Sequence, residues 1–476
     1  MQEEAVEAPA GPAGDPGASI APRAELIERF DVAGPRYTSY PTADRFVEAF
    51  DGRSLVPWLK QRAELGWRQP MSVYVHIPFC QSVCYYCACN KIVTRDTSRG
   101  AAYVDDLLRE LALYGELLGR REPLSQLHFG GGTPTFLDGA SLQRVVDALE
   151  RTFALTSDAE RSIEVDPRTV DVARLRELYA QHFNRISFGV QDFDPHVQQA
   201  VHREQSTEDV FALTRAAREI GFESINVDLI YGLPRQSETS FRQTLHTLAE
   251  LRPDRVAVYG YAHLPERFKP QRRIHTEQLP SAHDKLAMMR LAIEQLTGHG
   301  YVYIGMDHFA LPSDALAVAQ RRGVLHRNFM GYTTQPDCDM IGLGVSAIGR
   351  MGPCYAQNYR TLDEYCEAVR DARLPIARGY ELTRDDMLRR SAIMSIMCNG
   401  ELSFAALEKS YLVDPKLVFS DELARLREFQ DLGLLTIETD RVALTPQGRF
   451  FVRPIAMVFD RYLRSALQRA SYSRVL

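Results

Sequence analysis

The sequence predicts an α/β protein built on a parallel β-sheet that curves into a partly open barrel. Two observations predict this fold class. Short runs rich in β-branched and aromatic residues alternate six times with longer segments of helical periodicity, and cap and turn residues separate them. Such alternation is typical of βα units and a parallel sheet. Six units are too few for an eightfold barrel, so we expect a partial (β/α)6 barrel with ligands at the carboxyl ends of its strands.

Two segments precede the barrel. Residues 1–24 are rich in Ala, Gly, Pro and acidic residues and have almost no large apolar side chains, so we expect a disordered tail. Residues 25–67 are predicted to form an N-terminal arm that covers the active site. Its stretch "GPRYTSYPTA" has prolines at positions 35 and 41, which favour an extended, ordered conformation over a helix.

The barrel itself is predicted for residues 68–350. Its strands are "SVYVHIPF", "LSQLHFGG", "RSIEVDP", "RISFGVQ", "SINVDLIYG" and "RVAVYGYAH", and "YVYIGMDHFAL" is predicted as a seventh. Its helices are "AAYVDDLLRELALYGELLG", "SLQRVVDALERTF", "VARLRELYAQH", "EDVFALTRAAREIG", "SFRQTLHTLAEL" and "AHDKLAMMRLAIEQLTGHG". Beyond this segment the pattern changes to helices and then to "LLTIETDRVALTPQGRF", which predicts a small hairpin. Residues 351–476 are therefore predicted to be a mostly α-helical C-terminal domain.

Composition excludes several classes of function. The chain has 56 basic and 62 acidic residues, a formal net charge of −6 and no concentrated basic stripe, which argues against a nucleic-acid partner. No apolar run reaches the ~18 residues needed to span a membrane. Eight cysteines in 476 residues, without a recognisable secretion signal, indicate the reducing cytoplasm. We expect a cytoplasmic monomer.

Four of the cysteines lie within ten residues of the stretch "YVHIPFCQSVCYYCACNK". Cys80, Cys84 and Cys87 have the spacing C-x3-C-x2-C, which can hold three corners of an iron–sulfur cubane from one loop and leave the fourth iron open. A tetrahedral zinc site favours two well-separated cysteine pairs, so zinc would be strained here. A chance group of buried thiols is the remaining interpretation.

A second motif is the glycine run in "HFGGGTPTFL", directly after the second predicted strand. Three consecutive glycines let a backbone approach a ligand closely. The run lacks the Gly-Lys-Ser/Thr of a phosphate loop and does not fit G-x-G-x-x-G, which argues against nucleotide-triphosphate and dinucleotide sites. A simple tight turn is the alternative interpretation.

The cysteine spacing, with Tyr85 and Tyr86 before the third cysteine, resembles the motif of the radical S-adenosylmethionine (SAM) enzymes. The resemblance implies that the amino and carboxylate groups of SAM bind the open iron. It implies that an electron from the cluster then cleaves SAM to a 5′-deoxyadenosyl radical. It also implies that the glycine run receives the methionine amino group of SAM.

Further motifs make the resemblance more specific and cover nearly all of the chain after the tail. They are "PRYTSYPTA", "GGGTPTFL", "IEVDPR", "GVQDFDPHVQQAVHREQ", "NVDLIYGLP", "YAHLP", "GMDHFA", "HRNFMGYTTQPDCDMIGLGVSAI" and "CYAQN". Together they are similar to the oxygen-independent coproporphyrinogen III oxidases of haem biosynthesis. This resemblance implies an oxidoreductase with one 4Fe-4S cluster and two SAM molecules. Its reaction is the anaerobic conversion of coproporphyrinogen III to protoporphyrinogen IX, in which two propionates become vinyl groups and two CO2 are lost.

The resemblance also implies which residues form the site. Cys80, Cys84 and Cys87 are implied iron ligands. The SAM bound to the cluster is expected to contact Tyr74, Gly131, Glu164 and Ile348, and the second SAM is expected to contact Tyr86, Gly132, Thr133, Gln191, Arg203, Asp228 and Ala262. At Tyr86 the family commonly has Phe, so its hydroxyl needs a partner. The residue types suit a charged nucleoside, because carboxylates accept from hydroxyl or amino groups and arginine pairs with a carboxylate.

Substrate and catalytic candidates follow from the chemistry of a tetra-acid on an apolar ring. Such a ligand needs an apolar floor with a few cations at the rim. Arg327 is the predicted propionate anchor, with a structural salt bridge as its rival, and Arg36 of the arm is expected to meet propionates too. Cys89 is assigned a role outside cluster ligation, because a fourth thiolate would fill the corner that SAM needs; a small buried packing residue is the alternative interpretation. His76 is the third candidate, although a lone histidine is more often a hydrogen-bonded core residue.

A different class of function stays open at this stage. Paralogues that keep the three-cysteine motif act as haem-binding chaperones or handle haem in other ways. Those paralogues usually lack the fourth cysteine and the "PRYTSYPTA" arm, and this sequence has both. An oxidase also needs an electron donor for the cluster and an electron acceptor, neither of which the sequence identifies.

Overall fold

The computed structural model describes residues 23–30, 32–65 and 69–463, and its centre is a parallel sheet. The predicted tail therefore lies outside the described residues except for its last two positions. The six central strands are β1 Met71–Ile77, β2 Glu122–Gly131, β3 Phe153–Val165, β4 Arg185–Gln191, β5 Ser224–Tyr231 and β6 Arg255–Gly260. Each is parallel to the next. The predicted (β/α)6 arrangement is confirmed.

Helices follow the strands in the predicted order. They are α1 Ala24–Phe30, α2 Gly52–Leu65, α3 Ser98–Leu118, α4 Gly139–Thr152, α5 Val172–Ala180, α6 Pro195–Ala200, α7 Thr207–Ile220, α8 Glu238–Leu251, α9 Ala282–Gly298, α10 Ala315–Arg321, α11 Leu362–Arg370, α12 Arg384–Asn399, α13 Phe404–Tyr411, α14 Pro415–Val418, α15 Ser420–Asp431 and α16 Val452–Met457.

Local sequence signals fix where these helices start and stop. Asp138 accepts a hydrogen bond from the backbone amide of Ser141 at the start of α4, at 2.7 Å. Ser281 and Asp284 form a capping box at the start of α9. Gly119 ends α3 in the left-handed conformation that only glycine adopts without cost. These capping residues mark the helix ends in the sequence, which explains why the alternation of strands and helices could be predicted.

The predicted seventh strand is a hairpin, so the prediction of one strand was wrong. Strands β7 Val302–Gly305 and β8 His308–Ala310 are antiparallel, and β8 also pairs antiparallel with β6. The reversal occurs where Gly305 and Met306 both take positive φ. A second small hairpin follows, β9 His326–Asn328 with β10 Gly331–Thr333. Residues typical of β-strands occur on both sides of the tight turn. The sequence pattern therefore predicted one continuous strand instead of two antiparallel strands.

The sheet also continues beyond β1, through strands from later in the chain. Strand β11 Met340–Leu343 is parallel to β1, and β12 Ile348–Met351, β13 Cys354–Asn358 and β14 Ile376–Glu381 extend it in antiparallel fashion. The twelve strands have the order β14-β13-β12-β11-β1-β2-β3-β4-β5-β6-β8-β7. The expected boundary between residues 350 and 351 therefore falls inside β12, and the main sheet extends to Glu381.

The C-terminal region after Glu381 is mostly helical, as expected. It contains α12 to α16 and a small sheet of β15 Glu401–Ser403, β16 Leu435–Ile437 and β17 Arg441–Leu444. The predicted hairpin is β16 with β17, and β15 adds a third strand that the sequence did not indicate. Within the described residues, no helix is both long and apolar enough to cross a membrane.

The N-terminal arm has two parts with different locations. The extended part lies between the barrel and the C-terminal region, where Tyr37 and Tyr40 are fully buried and the Tyr37 hydroxyl donates to Asp460 at 3.0 Å. Helix α2, which belongs to the same predicted segment 25–67, instead packs against α3 and the strands β12 and β13. The prediction that the whole segment covers the site was too broad, because the amphipathic α2 buries its apolar face on the outside of the sheet.

Candidate active site

Polar side chains alternate along the inner faces of the barrel strands. In a strand every second side chain points to the same face. The residues on the inner face of the barrel are Tyr74 and His76 on β1, His128 on β2, Ser162 and Glu164 on β3, Ser187 on β4, Asn226 and Asp228 on β5 and Tyr259 on β6. Tyr74 is in register with His128, and Glu164 with Ser187. The barrel interior is therefore polar near the strand ends, as a ligand site requires.

The cysteine loop leaves the end of β1 and is held by contacts with other loops. The short strands Phe79–Cys80 and Ile92–Val93 pair with each other and close the loop at its base. The Tyr85 amide donates to the carbonyl of Val201 at 2.9 Å, and the Tyr85 ring stacks on His202 with centroids 5.2 Å apart. The loop is thus fixed at both ends and at its tip.

The sulfur of Cys84 faces two guanidinium groups. Arg203 donates to it at 3.3 Å and Arg168 at 3.6 Å, and Asp166 pairs with both arginines at 3.2 and 2.6 Å. The two guanidinium groups therefore place positive charge beside this sulfur, and iron binds cysteine as the thiolate. Sequence reasoning identified Arg203 but missed Arg168 and Asp166, although the quoted motif "IEVDPR" contains both.

The other thiols of the loop differ in acidity. Burial raises the pKa of Cys80 to about 11, although Thr133 donates to its sulfur at 3.5 Å. A hydrogen bond from Cys89 and the charge of Lys91 lower the pKa of Cys87 to about 6. Iron binding requires deprotonated sulfur and would release the remaining protons. Cys89 is exposed and forms a hydrogen bond with Cys87, and its pKa is raised by that bond, by burial and by the charges of Cys87 and Glu164.

Within the described parts of the chain, no three His, Cys, Asp or Glu side chains converge closely enough to hold one metal ion. The cysteine thiols are therefore not arranged as a preformed tetrahedral zinc site. A cubane takes each thiolate at a different iron atom, so its ligands need not converge on one point. This arrangement suits a cluster better than a single ion.

The glycine run fits tightly between β1 and the cysteine loop. Gly131 has φ of +118°, and a Cβ atom there would lie 2.7 Å from the His76 ring. A Cβ atom at Gly132 would lie 2.8 Å from the backbone of Pro78 and Phe79. Neither position can carry a side chain, so the run presents bare backbone at the strand end. The tight-turn interpretation and the ligand interpretation both fit this geometry.

Glu164 lies at the centre of the inner face. Its carboxylate accepts from the Gly131 amide at 3.2 Å and contacts His128 at 3.3 Å, and its side chain is 44% exposed. Burial raises its pKa, but the hydrogen bond and charge of His128 and the Gly131 amide outweigh that effect, so the pKa of Glu164 lies below its usual value. The carboxylate stays ionised and can accept from an amino or hydroxyl group.

Tyr74 and His76 form a hydrogen-bonded pair beside Glu164. The Tyr74 hydroxyl lies 3.0 Å from Nδ1 of His76, and Nε2 of His76 lies 3.0 Å from the carbonyl oxygen of Asn90. Burial lowers the pKa of His76. Both ring nitrogens are therefore occupied, which favours a positioning role over proton transfer. Ile348 is adjacent, because it packs against Gly342, the register partner of Tyr74.

Asp228, Gln191 and Arg203 form a second group on the other side of Glu164. Asp228 accepts from Asn226 at 2.9 Å and from Ser187 at 3.2 Å, and burial together with repulsion from Glu164 raises the pKa of Asp228 to about 6. Gln191 adopts a positive φ of 73°, a strained conformation for a residue with a side chain. Gly189 provides the space, because a Cβ there would lie 2.9 Å from Gln191 and 3.0 Å from Arg203.

Tyr86 and Ala262 are joined by a residue that sequence reasoning missed. The Gln271 side chain, 1% exposed, donates to the carbonyl oxygen of Tyr86 at 3.0 Å and to that of Ala262 at 3.2 Å. Its own oxygen accepts from the Leu264 amide at 2.6 Å. Gln271 therefore links the cysteine loop to the loop after β6. No local motif marks it, since its partner Tyr86 is 185 residues away.

Arg327 and Arg36 come together although they are far apart in sequence. Arg327 is 6% exposed, donates to the Arg36 carbonyl at 3.3 Å and lies over the Tyr332 ring at 4.7 Å. Its Nη1 has no hydrogen-bond partner among the described residues. Arg36 pairs with Asp307 and lies over Tyr259 at 5.6 Å. The alternative interpretation of Arg327 was a structural salt bridge. Among the described residues, Arg327 forms no salt bridge.

Comparisons with known proteins identify the family. The radical SAM superfamily model matches residues 74–248, and the HemN C-terminal domain model matches residues 382–451. The oxygen-independent coproporphyrinogen III oxidase of Escherichia coli (strain K12) is 48% identical over 451 residues, which cover 95% of this chain and 98% of that protein. The chain belongs to the oxygen-independent coproporphyrinogen III oxidase family. The Pseudomonas aeruginosa oxidase of the same name is 46% identical over 455 residues, with 95% and 98% coverage.

A solved structure of this oxidase family has the same fold. Coproporphyrinogen III oxidase (HemN) from Escherichia coli, described as a radical SAM enzyme, matches with a TM-score of 0.88 and 46% identity. The match covers 94% of this chain and all of that one. The matched C-terminal domain begins at residue 382, directly after β14. The main sheet and the family model thus agree on where the C-terminal region starts.

As a radical SAM protein, the chain takes a 4Fe-4S cluster and SAM as cofactors. Its residues fit these groups. The loop supplies three thiols with cationic donors beside Cys84, and the strand ends supply carboxylates at Glu164 and Asp228 with the bare backbone of the glycine run. The residues predicted to contact SAM lie on strands β1 to β6 or in the loops that follow them, except Ile348, which lies on β12. That they contact SAM stays a prediction.

Proposed function

We propose that this chain catalyses the oxygen-independent decarboxylation of coproporphyrinogen III to protoporphyrinogen IX in haem biosynthesis. Relatives of that name match it over nearly their full length. The observation that carries the proposal is the environment of Tyr259 on the inner face of β6. Its hydroxyl interacts electrostatically with Asp228 and Glu164 and also with Arg36 and Arg327. Arg36 lies over the Tyr259 ring at 5.6 Å, and Asp228 is the register partner of Ala257, two residues before Tyr259. Carboxylates that suit SAM and cations that suit propionates therefore lie around the same part of β6.

The cofactors supply the difficult chemistry, which is one-electron cleavage of SAM and removal of a hydrogen atom from an unactivated propionate carbon. The chain supplies position and exclusion of water. Cys80, Cys84 and Cys87 hold the cluster, while Tyr74, Gly131, Glu164 and Ile348 contact the first SAM. Arg327 and Arg36 bind propionates and orient the reacting carbon toward the strand ends.

The proposal includes a second SAM. Its contacts are Tyr86, Gly132, Thr133, Gln191, Arg203, Asp228 and Ala262. What supports this is a separate set of groups beyond Glu164, namely a half-buried carboxylate at Asp228, a strained Gln191 and the link through Gln271. Arg203 already pairs with Asp166, so a methionyl carboxylate would share it with that residue.

Cys89 and His76 act on the substrate side of the cluster in this proposal. Cys89 is exposed and hydrogen-bonded to Cys87, and His76 lies within hydrogen-bond distance of the Tyr74 hydroxyl. An electron donor for the cluster and an electron acceptor for the decarboxylated carbon are required by the electron balance of the reaction. A cytoplasmic location and a monomeric state remain predictions. The haem-chaperone alternative gains no support from the relatives, which are named as oxidases.

The test is anaerobic turnover. Protein with a full cluster, a reductant, SAM and coproporphyrinogen III should form protoporphyrinogen IX, detected by fluorescence after oxidation to the porphyrin. The variant Cys84→Ala should lose both the cluster and turnover, because it removes one of three thiolates. Wild-type protein that holds a full cluster and cleaves SAM, yet leaves coproporphyrinogen III unchanged, would contradict the proposal.

A further inference from the structure

A cavity of about 600 Å³ opens beside the carboxyl end of β6. Five parts of the chain contribute to its walls: the loop after β6, helix α9, the β7–β8 hairpin, the N-terminal arm, and α16 with the segment that leads into it. Representative lining residues are Tyr261, Lys285, Met289, Arg36, Phe450 and Arg453. Its volume lies within the range of pockets that bind drug-sized ligands. The cavity is incomplete without the arm and the C-terminal region.

The cavity has an apolar floor and cations at its edge. Met289, Phe309 and Phe450 contribute apolar surface, whereas Arg36, Lys285 and Arg453 contribute positive charge. Glu28 and Asp307 are its acidic lining residues, and Asp307 is already paired with Arg36. This combination suits an amphiphilic anion, whose apolar body lies on the floor and whose carboxylates meet the cations.

Lys285 is held in place for such a role. Its Nζ donates to the carbonyl oxygen of Tyr261 at 3.3 Å and lies 5.9 Å from the Tyr261 ring centroid. Its aliphatic stem runs over Gly232, where a Cβ would lie only 2.9 Å from Cε of Lys285. Gly232, with a positive φ of 84°, therefore leaves the room that the stem needs.

Several positively charged groups lie close together in this region. Burial and the charge of Lys285 lower the pKa of His263. Burial and repulsion from Arg36 and Arg327 lower the pKa of Arg453 to about 9. Cations that repel one another in a buried region are stabilised when an anion binds between them.

We propose that this cavity binds the part of the tetrapyrrole that carries the two propionates retained in the product, with Lys285 as a ligand of one of them. The inference rests on the proposed function. Ala262 lines the cavity and also belongs to the predicted SAM contacts, so a macrocycle in the cavity reaches the strand-end site. The two reacting propionates then lie at the strand ends, and the two retained propionates need a separate anionic site.

The test compares two α9 variants in cluster-loaded protein. Lys285→Met removes the cavity cation, and Arg290→Met removes a cation from α9 that is 40% exposed and pairs with Glu294 at 3.7 Å. Binding is measured by fluorescence titration with coproporphyrin III and with protoporphyrin IX, which has only the two retained propionates. Loss of one charge-assisted contact should weaken both porphyrins about tenfold in Lys285→Met. Arg290→Met should bind both like the wild type.

A second variant keeps the test independent of Lys285. Met289→Trp places a larger side chain in the cavity and should also weaken both porphyrins. Unchanged affinities in Lys285→Met and Met289→Trp would overturn the cavity assignment. Weaker coproporphyrin with unchanged protoporphyrin in Lys285→Met would also overturn it, because Lys285 would then hold a reacting propionate. These are binding measurements, so a wild-type protein that binds porphyrin but fails to turn over contradicts the proposed function alone.

Discussion

At the residue scale, the charges of the site differ in how they are compensated. Asp166 pairs with Arg203 and Arg168 next to the cysteine loop. Arg327, in contrast, meets only a backbone carbonyl and the face of Tyr332 among the hydrogen bonds and ring contacts of the described residues. A buried guanidinium without an acid is costly. We interpret this cost as preparation for an anionic ligand.

Arg327 therefore gives a direct prediction. Arg327→Ala should raise the Michaelis constant for coproporphyrinogen III about tenfold or more, and Arg327→Lys should raise it too, because lysine lacks the planar fork. Thermal stability should change little. Arg390→Lys is the matched control, since Arg390 is buried but pairs with Asp337 at 2.6 Å. An unchanged Michaelis constant with a lowered unfolding temperature would show that Arg327 only orders its loop.

Cys89 gives a second prediction at this scale. Cys89→Ser should keep the visible absorption and the reduced-state EPR signal of the cluster, because three other thiolates ligate it. Turnover should fall, since Cys89 is exposed beside Cys87 and the proposed function places it on the substrate side of the cluster. Loss of the cluster would make Cys89 a ligand, and unchanged turnover would reduce it to a packing residue.

Site residues could be predicted where the motif that marks them lies within one short segment of the sequence. The cysteine spacing and the glycine run each lie within one short segment, so their chemistry is visible in the sequence alone. Gln271 and Asp307 were not predictable, because their roles come from contacts with residues far away in the chain. Nothing near Gln271 in sequence distinguishes it from a surface glutamine.

At the element scale, one buried carboxyl joins four elements. Glu110 of α3 accepts from the Gly344 amide after β11, from Asn358 of β13 and from Tyr365 of α11, each at 2.7 Å. Burial raises the pKa of Glu110 to about 7 from a usual value of 4.5. The folded protein therefore holds this proton more tightly than the unfolded chain does.

This shift predicts a pH dependence of stability. For a carboxyl whose pKa is raised by folding, the free energy of unfolding falls as pH rises from about 4.5 to about 7, here by about 3 kcal/mol, and stays lower above that range. Glu110→Gln has no proton to lose, so its unfolding midpoint should fall less than that of the wild type between about pH 5 and about pH 8. Equal pH dependence in the two proteins would contradict the assignment.

Strands and helices could be predicted where the periodicity of apolar residues and the capping residues indicate the same boundaries. All six barrel strands and their helices follow from alternation and punctuation. The hairpin of β7 and β8 and the strands β12 and β13 were missed, since these short antiparallel strands have no helix between them to mark the repeat. The glycine at position 305 and the apolar "MIGLGVSAIGRM" were the available signals.

At the scale of the whole molecule, the arm connects the barrel to the C-terminal region. Arg453 donates to the carbonyl oxygens of Gly34 and Pro35 at 2.7 and 3.2 Å, and Phe30 stacks on Phe429 with centroids 4.9 Å apart. The arm thereby places Arg36 at the cavity beside β6. Substrate binding and attachment of the C-terminal region should depend on the same segment.

Truncation tests this dependence. Deletion of residues 1–43 should raise the Michaelis constant for coproporphyrinogen III and lower the unfolding temperature, because buried Tyr37 and Tyr40 are lost. Iron content per chain should not change, since the cysteine loop is held by other contacts. Deletion of residues 1–22 alone is the control and should behave like the full chain. An unaltered Michaelis constant after the longer deletion would refute the covering role of the arm.

The central claim is that the cluster held by Cys80, Cys84 and Cys87 enables SAM to take a hydrogen atom from a propionate of coproporphyrinogen III. The most direct test uses substrate deuterated at the propionate carbon next to the ring, incubated anaerobically with cluster-loaded protein, reductant and SAM. Mass spectrometry then measures deuterium in the adenosyl product of SAM. We predict deuterium in that product together with release of CO2 and formation of protoporphyrinogen IX, all absent in Cys84→Ala. Protoporphyrinogen IX formed with no deuterium in the adenosyl product would contradict the account.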